Sequence, residues 1–470
     1  EFYIMKKMIE LTNDRYRLGY HVSAPAGWIN DPNGFCYYKG YYHIFYQYHP
    51  YSADWGPMHW GHARSKDLIH WESLPIAIAP DTKADEDGCF SGSAIVKDDV
   101  LYLIYTGHHY YGDGDPDHFW QTQDLAYSTD GINFTKYENN PIIALPPTDN
   151  THHFRDPKVW QKDDFYYMIL GSQGKDGHGR VITYRSKDLK DWQYLGAITK
   201  AKSLATEGYM WECPDFFELA GKDVLLLSPQ GIKADGQKYL NLFQTGYFVG
   251  EYDYQKNSFS HGSFIELDHG HDFYATQTML APDGRRLVFG WMDMWESDFP
   301  EKADGWAGAL TLPRELILKD DKLYMRPIKE LSQLRTAKLA TWDKNLTQKT
   351  LLCEGEKQAE LELTLDSADF SLTLNDPKTS AQIKLSFDQK PQTFILENGD
   401  ERYATIAPKS KLKLQLFIDT SSLEIFINDG EAVFTERFYF EKAPEVWLDT
   451  RAKCDMQLYR LGKAITFDKH

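Results

Sequence analysis

Apolar and polar residues alternate with a period of two along most of this chain, and stretches with helical spacing are scarce. Five hairpin-like segments stand out, at 34–48, 93–106, 157–170, 214–228 and 277–292. Each sets aromatic and β-branched residues on both sides of a polar turn such as Lys39-Gly40 or Pro282-Asp283-Gly284. A second signature recurs beside them. It reads Ser65-Lys66-Asp67-Leu68-Ile69-His70-Trp71, then Ser128-Thr129-Asp130-Gly131-Ile132-Asn133-Phe134, then Ser186-Lys187-Asp188-Leu189-Lys190-Asp191-Trp192. The copies lie 63 and 58 residues apart, an interval that suits one four-stranded unit per repeat. The pattern predicts an all-β fold: a five-bladed β-propeller over residues 1–325, with residues 1–20 as a lead-in. A long antiparallel β-protein without radial symmetry is the alternative.

Near residue 326 the texture changes. Residues 326–345 read as a linker with about two helical turns. Beyond it, Ala359–Leu365, Leu412–Leu416 and Leu423–Ile427 alternate strictly, and Asn428-Asp429-Gly430 supplies a turn. This predicts a C-terminal β-sandwich over residues 346–470. The expected role of the sandwich is to buttress the propeller; a lectin-like module is the alternative, and a homodimer built through it is compatible with the sequence.

Composition narrows the function. The chain has 470 residues and a net charge of −18, so it repels phosphate backbones on average, and a nucleic-acid partner is not expected. Aromatic residues make up 15% of it, enough for a β core and for faces that stack on sugar rings. The five cysteines (Cys36, Cys89, Cys213, Cys353, Cys454) are scattered and form no CxxC pair, which points to a reducing compartment. No run of 18 apolar residues exists, and residues 5–20 lack the apolar core of a signal peptide. With Met5 read as the natural start, the expectation is a soluble, acidic, cytoplasmic protein with no membrane partner.

The repeats give three acids a shared address. Asp31 precedes Pro32 at the start of the first hairpin, Asp156 precedes Pro157 at the third, and Glu212 precedes Cys213-Pro214 at the fourth. If the hairpins are equivalent, these carboxylates converge at one mouth of the channel, with Trp28, Trp55, Trp211 and Trp291 close in sequence. Such a cluster suits glycoside hydrolysis, which needs one protonated acid and one ionised carboxylate. Like charges held close and buried would raise the pKa of one member.

Trp28-Ile29-Asn30-Asp31-Pro32-Asn33-Gly34 resembles the signature of the β-fructofuranosidases of glycoside hydrolase family 32. Phe154-Arg155-Asp156-Pro157 and Trp211-Glu212-Cys213-Pro214-Asp215 resemble that family's other acidic motifs, in the expected order. Phe90-Ser91-Gly92-Ser93, Asp272-Phe273-Tyr274-Ala275, Gly305-Trp306-Ala307-Gly308 and Phe417–Phe426 match as well, so the resemblance covers nearly the whole chain. Within the family the chain is most similar to bacterial sucrose and sucrose-6-phosphate hydrolases. The resemblance implies a retaining mechanism, with Asp31 as nucleophile, Glu212 as acid/base and Asp156 holding fructose hydroxyls. It also implies that Arg155 orients carboxylates and that Asn30, Gln47, Trp55, Phe90, Ser91, Asp272 and Trp291 contribute to binding. The substrate would be a small fructoside (sucrose, its 6-phosphate or a short fructo-oligosaccharide), and no organic cofactor or metal is expected. An inverting arabinanase or xylosidase and a non-catalytic sugar-binding propeller are the rivals.

One stretch departs from the resemblance. Residues 117–123 replace a more polar, often Arg-containing segment, so no residue is assigned to grip a phosphate. His108, His109, His152, His153 and Arg180 are the candidates. The acidic loop Asp113-Gly114-Asp115-Pro116-Asp117 resembles the opening of a calcium loop but has His118 where glycine is needed, and reads as a solvated loop. His59-Trp60-Gly61-His62 lacks a third ligand at fitting spacing. Cys213 reads as a small buried residue rather than a nucleophile.

Overall fold

The computed structural model describes residues 6–467, so the expected start at Met5 lies outside them. The chain is all-β. Five sheets built on antiparallel strands follow one another through the first 327 residues, the first of them also taking in Trp306–Ala307 and Ile465–Thr466 as parallel edges, and two six-stranded sheets follow them. The first strands of the five sheets are Gly27–Tyr38, Cys89–Lys97, Asn150–Lys162, Met210–Leu219 and Tyr274–Leu280. They touch in cyclic order: each contacts the next, and Tyr274–Leu280 returns to Gly27–Tyr38.

The recurring Ser-x-Asp signature is a turn. Ser65 Oγ accepts from the backbone N–H of Asp67 and Leu68 at 3.1 and 2.9 Å, and Asp67 Oδ1 accepts from Ile69 and His70. Trp71 Nε1 closes the unit on Leu68 O at 2.8 Å. The same bonds recur around Ser186 and Asp188, with Trp192 on Leu189. The fourth residue must take φ near +70°: Leu68 at 73°, Leu189 at 71° and, in the middle copy, Gly131 at 76°. The repeat is therefore backbone chemistry and carries no catalysis.

After Lys322–Pro327 a 3₁₀ segment, Lys329–Leu334, leads into the strand Arg335–Asn345. That strand pairs with Lys453–Leu461 at the edge of the first C-terminal sheet. The two six-stranded sheets enclose an aliphatic core that includes Leu361, Leu385, Leu414 and Leu448, as their alternation requires. Phe417, Phe426 and Val433 point the other way and join Tyr247, Phe289 and Leu312 in a core shared with the first five sheets. Ile465–Thr466 then pairs in parallel with Trp71–Ile78 of the first sheet, so the chain end is stitched back.

Buried charges line this junction. His21 Nδ1 lies 2.7 Å from Asp419 Oδ2, and its Nε2 meets Glu424. Arg314 Nη2 donates to Glu424 at 2.9 Å, and Arg437 pairs with Asp293 and Glu301 at 2.9 and 2.7 Å. Burial alone would lower the His21 pKa, but Glu424 and Asp419 outweigh it and raise it to about 9. A His raised above its unfolded value near 6.5 stabilises fully below that pH and loses the contribution as pH rises through about 9. The expected result is a Tm that falls between pH 7 and pH 9.5, by an amount equivalent to roughly 3 kcal/mol. His21→Asn should lose the same slope in calorimetric scans; a wild-type Tm flat over that range would contradict the ion triad.

Candidate active site

Each of the five first strands slips by one residue against its partner toward its N-terminal end, and Gly27–Tyr38 and Asn150–Lys162 carry a second irregularity as well. The slips fall at Ile29/Pro32, Cys89/Gly92, Arg155/Lys158, Glu212/Asp215 and Tyr274/Thr276. A bulge interrupts the ladder, so proline is tolerated there, and the added twist re-aims the neighbouring side chain. Pro157 and Pro214 lie inside two of these bulges and Pro32 closes a third, which is the physical content of the repeated acid-then-proline pattern. Asp156, Cys213 and Ala275 sit at φ of 67°, 50° and 56°, left-handed conformations that non-glycine residues hold only when surroundings enforce them.

The bulged ends open on a cavity of about 330 Å³. The structure brings together nine of the expected residues around it: Asn30, Asp31, Gln47, Trp55, Phe90, Ser91, Arg155, Asp156 and Glu212. Trp55 forms the lip, 41% exposed, edge-on to Phe90. Two expected residues are not at the cavity. The Asp272 carboxylate accepts the backbone N–H of Arg437 at 2.8 Å and belongs to the junction with the C-terminal sheets. Trp291 is fully buried against Trp28, Trp295 and Phe299, beneath the wall rather than on it. Trp211, near the site in sequence, is core packed on Phe248.

The three acids are held differently. Asp31 accepts from Ser91 Oγ at 2.7 Å, from Asn30 Nδ2 at 3.2 Å and from the Cys213 thiol at 3.2 Å. Asn30 is itself fixed by Trp28 Nε1 at 2.8 Å. Asp156 Oδ2 accepts the backbone N–H of Cys213 at 2.9 Å. Glu212 receives Arg155 Nε at 3.0 Å, Gln230 Nε2 at 2.8 Å and the Tyr274 hydroxyl. Burial and the Glu212 charge raise the pKa of Asp31, against the hydrogen bonds from Ser91 and Asn30. The same two causes lift Asp156 to about 7 despite the pull of Arg155. Burial and both aspartates push the Cys213 thiol well up, so it is a hydrogen-bond donor and no nucleophile.

An aspartate raised in this way costs stability. The cost is absent below the unfolded value near 3.8, where both states are protonated, and complete above about 7. Asp156→Asn should therefore stabilise the fold at pH 7 by roughly 1–4 kcal/mol, a gain that vanishes toward pH 4. Denaturant unfolding at the two pH values reads it. A destabilised variant at pH 7 would show that Arg155 and the Cys213 N–H outweigh burial.

Of a patch from the second sheet, sequence reasoning offered His108 only as a candidate phosphate ligand and gave Tyr110, Phe119 and Gln121 no role in the site. His108 pairs across the ladder with Gln121, and Tyr110 with Phe119, so all four share one face and line the cavity. Their i, i+2 spacing was visible; the register that joins them was not. His153 and Trp295 complete the wall. His109, His152 and Arg180 stay outside it: Arg180 is spent on Asp149 at 2.8 Å. The acidic loop closes on itself through Asp113 and Asp115, and among the described residues no cluster of three metal-ligating side chains forms.

Residues 21–327 match the description "Glycosyl hydrolases family 32 N-terminal domain", and residues 330–460 match "Glycosyl hydrolases family 32 C terminal". The chain belongs to glycoside hydrolase family 32. A sucrose-6-phosphate hydrolase of Escherichia coli is 43% identical over 448 residues, covering 93% of this chain and 92% of that one. A raffinose invertase of the same organism is 42% identical, with 89% of each chain covered. Among solved family 32 structures, a mutant Bombyx mori β-fructofuranosidase in complex with sucrose superposes with a TM-score of 0.89. It shares 40% identity and covers 97% of this chain and 96% of its own. In this family 32 chain, the three acidic motifs bulge into the cavity together with Phe90-Ser91 of the second sheet.

Proposed function

We propose that this chain is a β-fructofuranosidase that releases fructose, with retention, from sucrose, sucrose 6-phosphate or short fructo-oligosaccharides. The observation that carries the reading is the convergence of Asp31, Asp156 and Glu212, each beside a strand bulge, on one cavity walled by Trp55 and Phe90. Asp31 attacks the anomeric C2; the C2–O bond to the leaving group breaks as Glu212 passes its proton to the departing oxygen. Water then attacks C2 of the fructosyl ester, Glu212 takes the water proton, and the ester oxygen returns to Asp31. Asp156 holds fructose hydroxyls against the positive charge that develops at C2. Arg155 keeps Glu212 aimed. When Glu212 holds a proton, the Tyr274 hydroxyl has a second acceptor in Ser228 O at 3.5 Å.

The five sheets, ringed through their first strands, support a five-bladed propeller over residues 1–325. The junction then lies at Lys329–Leu334, inside the expected 326–345, and the sandwich begins with the strand Arg335–Asn345 rather than at 346. Five unpaired, buried cysteines support a reducing, cytoplasmic setting. No helix among the described residues is long and apolar enough to cross a membrane. A homodimer through the sandwich is tested by light scattering.

The mechanism is tested by trapping. Sucrose cleaved in the presence of methanol should give methyl β-D-fructofuranoside, read by NMR, and Asp31→Ala should give none. Retention separates this reading from an inverting five-bladed hydrolase; an α-fructoside, or no methanol adduct with free α-fructose as first product, would replace Asp31 as nucleophile. A non-catalytic propeller would release no fructose at all.

A further inference from the structure

The leaving sugar lies on the Glu212 side of the cavity, since that carboxyl must reach the departing oxygen. The wall there is Arg155, His153, Gln121, His108 and Phe119, with Asp117 at the rim. We propose, resting on the β-fructofuranosidase reading, that this half-site takes an uncharged sugar and discriminates against a 6-phosphate, with Asp117 as a specificity-determining residue. The reaction then consumes unmodified sucrose or a neutral fructoside, and no sugar kinase step precedes it.

The hydrogen bonds fix the charges. The Phe154 backbone N–H donates to Gln121 Oε1 at 3.0 Å, which sets the amide with Nε2 toward His108 Nδ1 at 3.2 Å. His108 Nδ1 is therefore an acceptor, and the ring is neutral and stacked on Phe90 at 4.1 Å. Arg155 Nη1 can only donate, and it meets His153 Nδ1 at 2.8 Å, so His153 is neutral too. Burial and the Arg155 charge agree with this, pushing His108 to about 3 and His153 to about 2. Neither imidazole can meet a phosphate as a cation.

Arg155 is the cationic lining residue among those described, and its charge is already shared by Glu212 and Asp156. Lys302, near the rim over Trp28, is paired with Asp54 at 2.9 Å. Asp117 is exposed and adds a further negative charge at the mouth. A phosphate monoester brings about −1.5 to −2 charges at pH 7. It would enter a cavity of net negative charge, on a protein of net charge −18, with no unpaired cation among the described lining residues to receive it.

The test is kcat/KM for sucrose and for sucrose 6-phosphate in parallel, at low and high salt, on the wild type and Asp117→Lys. Sucrose should be preferred, by tenfold or more at low salt, and salt should narrow the gap by screening the exposed Asp117. Asp117→Lys should shrink the ratio by threefold or more; the ratio is read, because the substitution also touches sucrose binding. A preference for sucrose under threefold, or any preference for the phosphate, overturns the proposal, and a ratio unmoved by Asp117→Lys overturns the role of Asp117. A folded protein that cleaves neither substrate would instead remove the β-fructofuranosidase reading on which the proposal rests.

Discussion

Asp31→Asn should lower kcat for sucrose by about 10⁴-fold or more while leaving the fold intact. The size follows from what the carboxylate does. It forms the bond to C2, and an amide oxygen is too weak a nucleophile to replace it. The local geometry predicts little structural damage. Asp31 Oδ2 accepts from Ser91 and Cys213, and an Asn oxygen placed there keeps both bonds. The Asn nitrogen then faces Asn30 Nδ2 at the Oδ1 position, a clash that Asn30 relieves only by giving up the bond from Trp28. Substrate binding should therefore weaken by less than tenfold, and the loss should sit in kcat. Removing a raised, buried charge should also hold or increase Tm. Steady-state kinetics with a calorimetric scan read both; a variant within a hundredfold of wild type would mean that Asp31 does not form the covalent bond.

The site was legible in the sequence where local backbone chemistry writes it. Asp31-Pro32, Asp156-Pro157 and Glu212-Cys213-Pro214 could be aligned because a residue without an N–H is tolerated in a bulge or at its edge, and the same bulge aims the acid. The turns at Ser65 and Ser186 were legible for the same reason: a side chain bonding two and three residues ahead leaves a fixed spacing. What depends on pairing register was hidden. His108 and Gln121 become neighbours only once Val100–Tyr110 and Phe119–Ser128 are laid against each other. Asp272 was misplaced because its partner, Arg437, is 165 residues away on a C-terminal strand. Trp291 was misplaced because a tryptophan beside a pocket in sequence can equally pack behind its wall, as this one does on Trp28. The buttressing sandwich and the segment Phe417–Phe426 were legible, but the ion pairs of the junction were not: nothing near His21 announces Asp419 or Glu424.

Glu212→Gln should show a loss that depends on the leaving group. For sucrose, whose glucose departs as an alkoxide unless protonated, kcat/KM should fall by roughly 10²–10⁴-fold. For β-D-fructofuranosyl fluoride or 4-nitrophenyl β-D-fructofuranoside, which need little or no proton, the first step should survive. Turnover then stalls at the fructosyl ester, because no carboxylate is left to take a proton from water. A burst of released fluoride or nitrophenolate, close to one per active site, is the expected signature. The geometry explains why the glutamine is not silent in binding. Glu212 accepts from Arg155, Gln230 and Tyr274, and an amide turns one acceptor position into a donor. Gln230 can rotate its own amide to answer this, and Tyr274 can turn toward Ser228 O, whereas Arg155 cannot become an acceptor. The glutamine oxygen should therefore stay on Arg155, and the side chain should remain where the acid was. Azide, which attacks without a base, should restore turnover of the activated substrates with a β-fructosyl azide as product. An α-azide would make Glu212 itself the nucleophile, its place taken by azide in a single displacement; an equal loss on all leaving groups with no burst would place the acid/base on another residue and leave Glu212 a positioning role through Arg155.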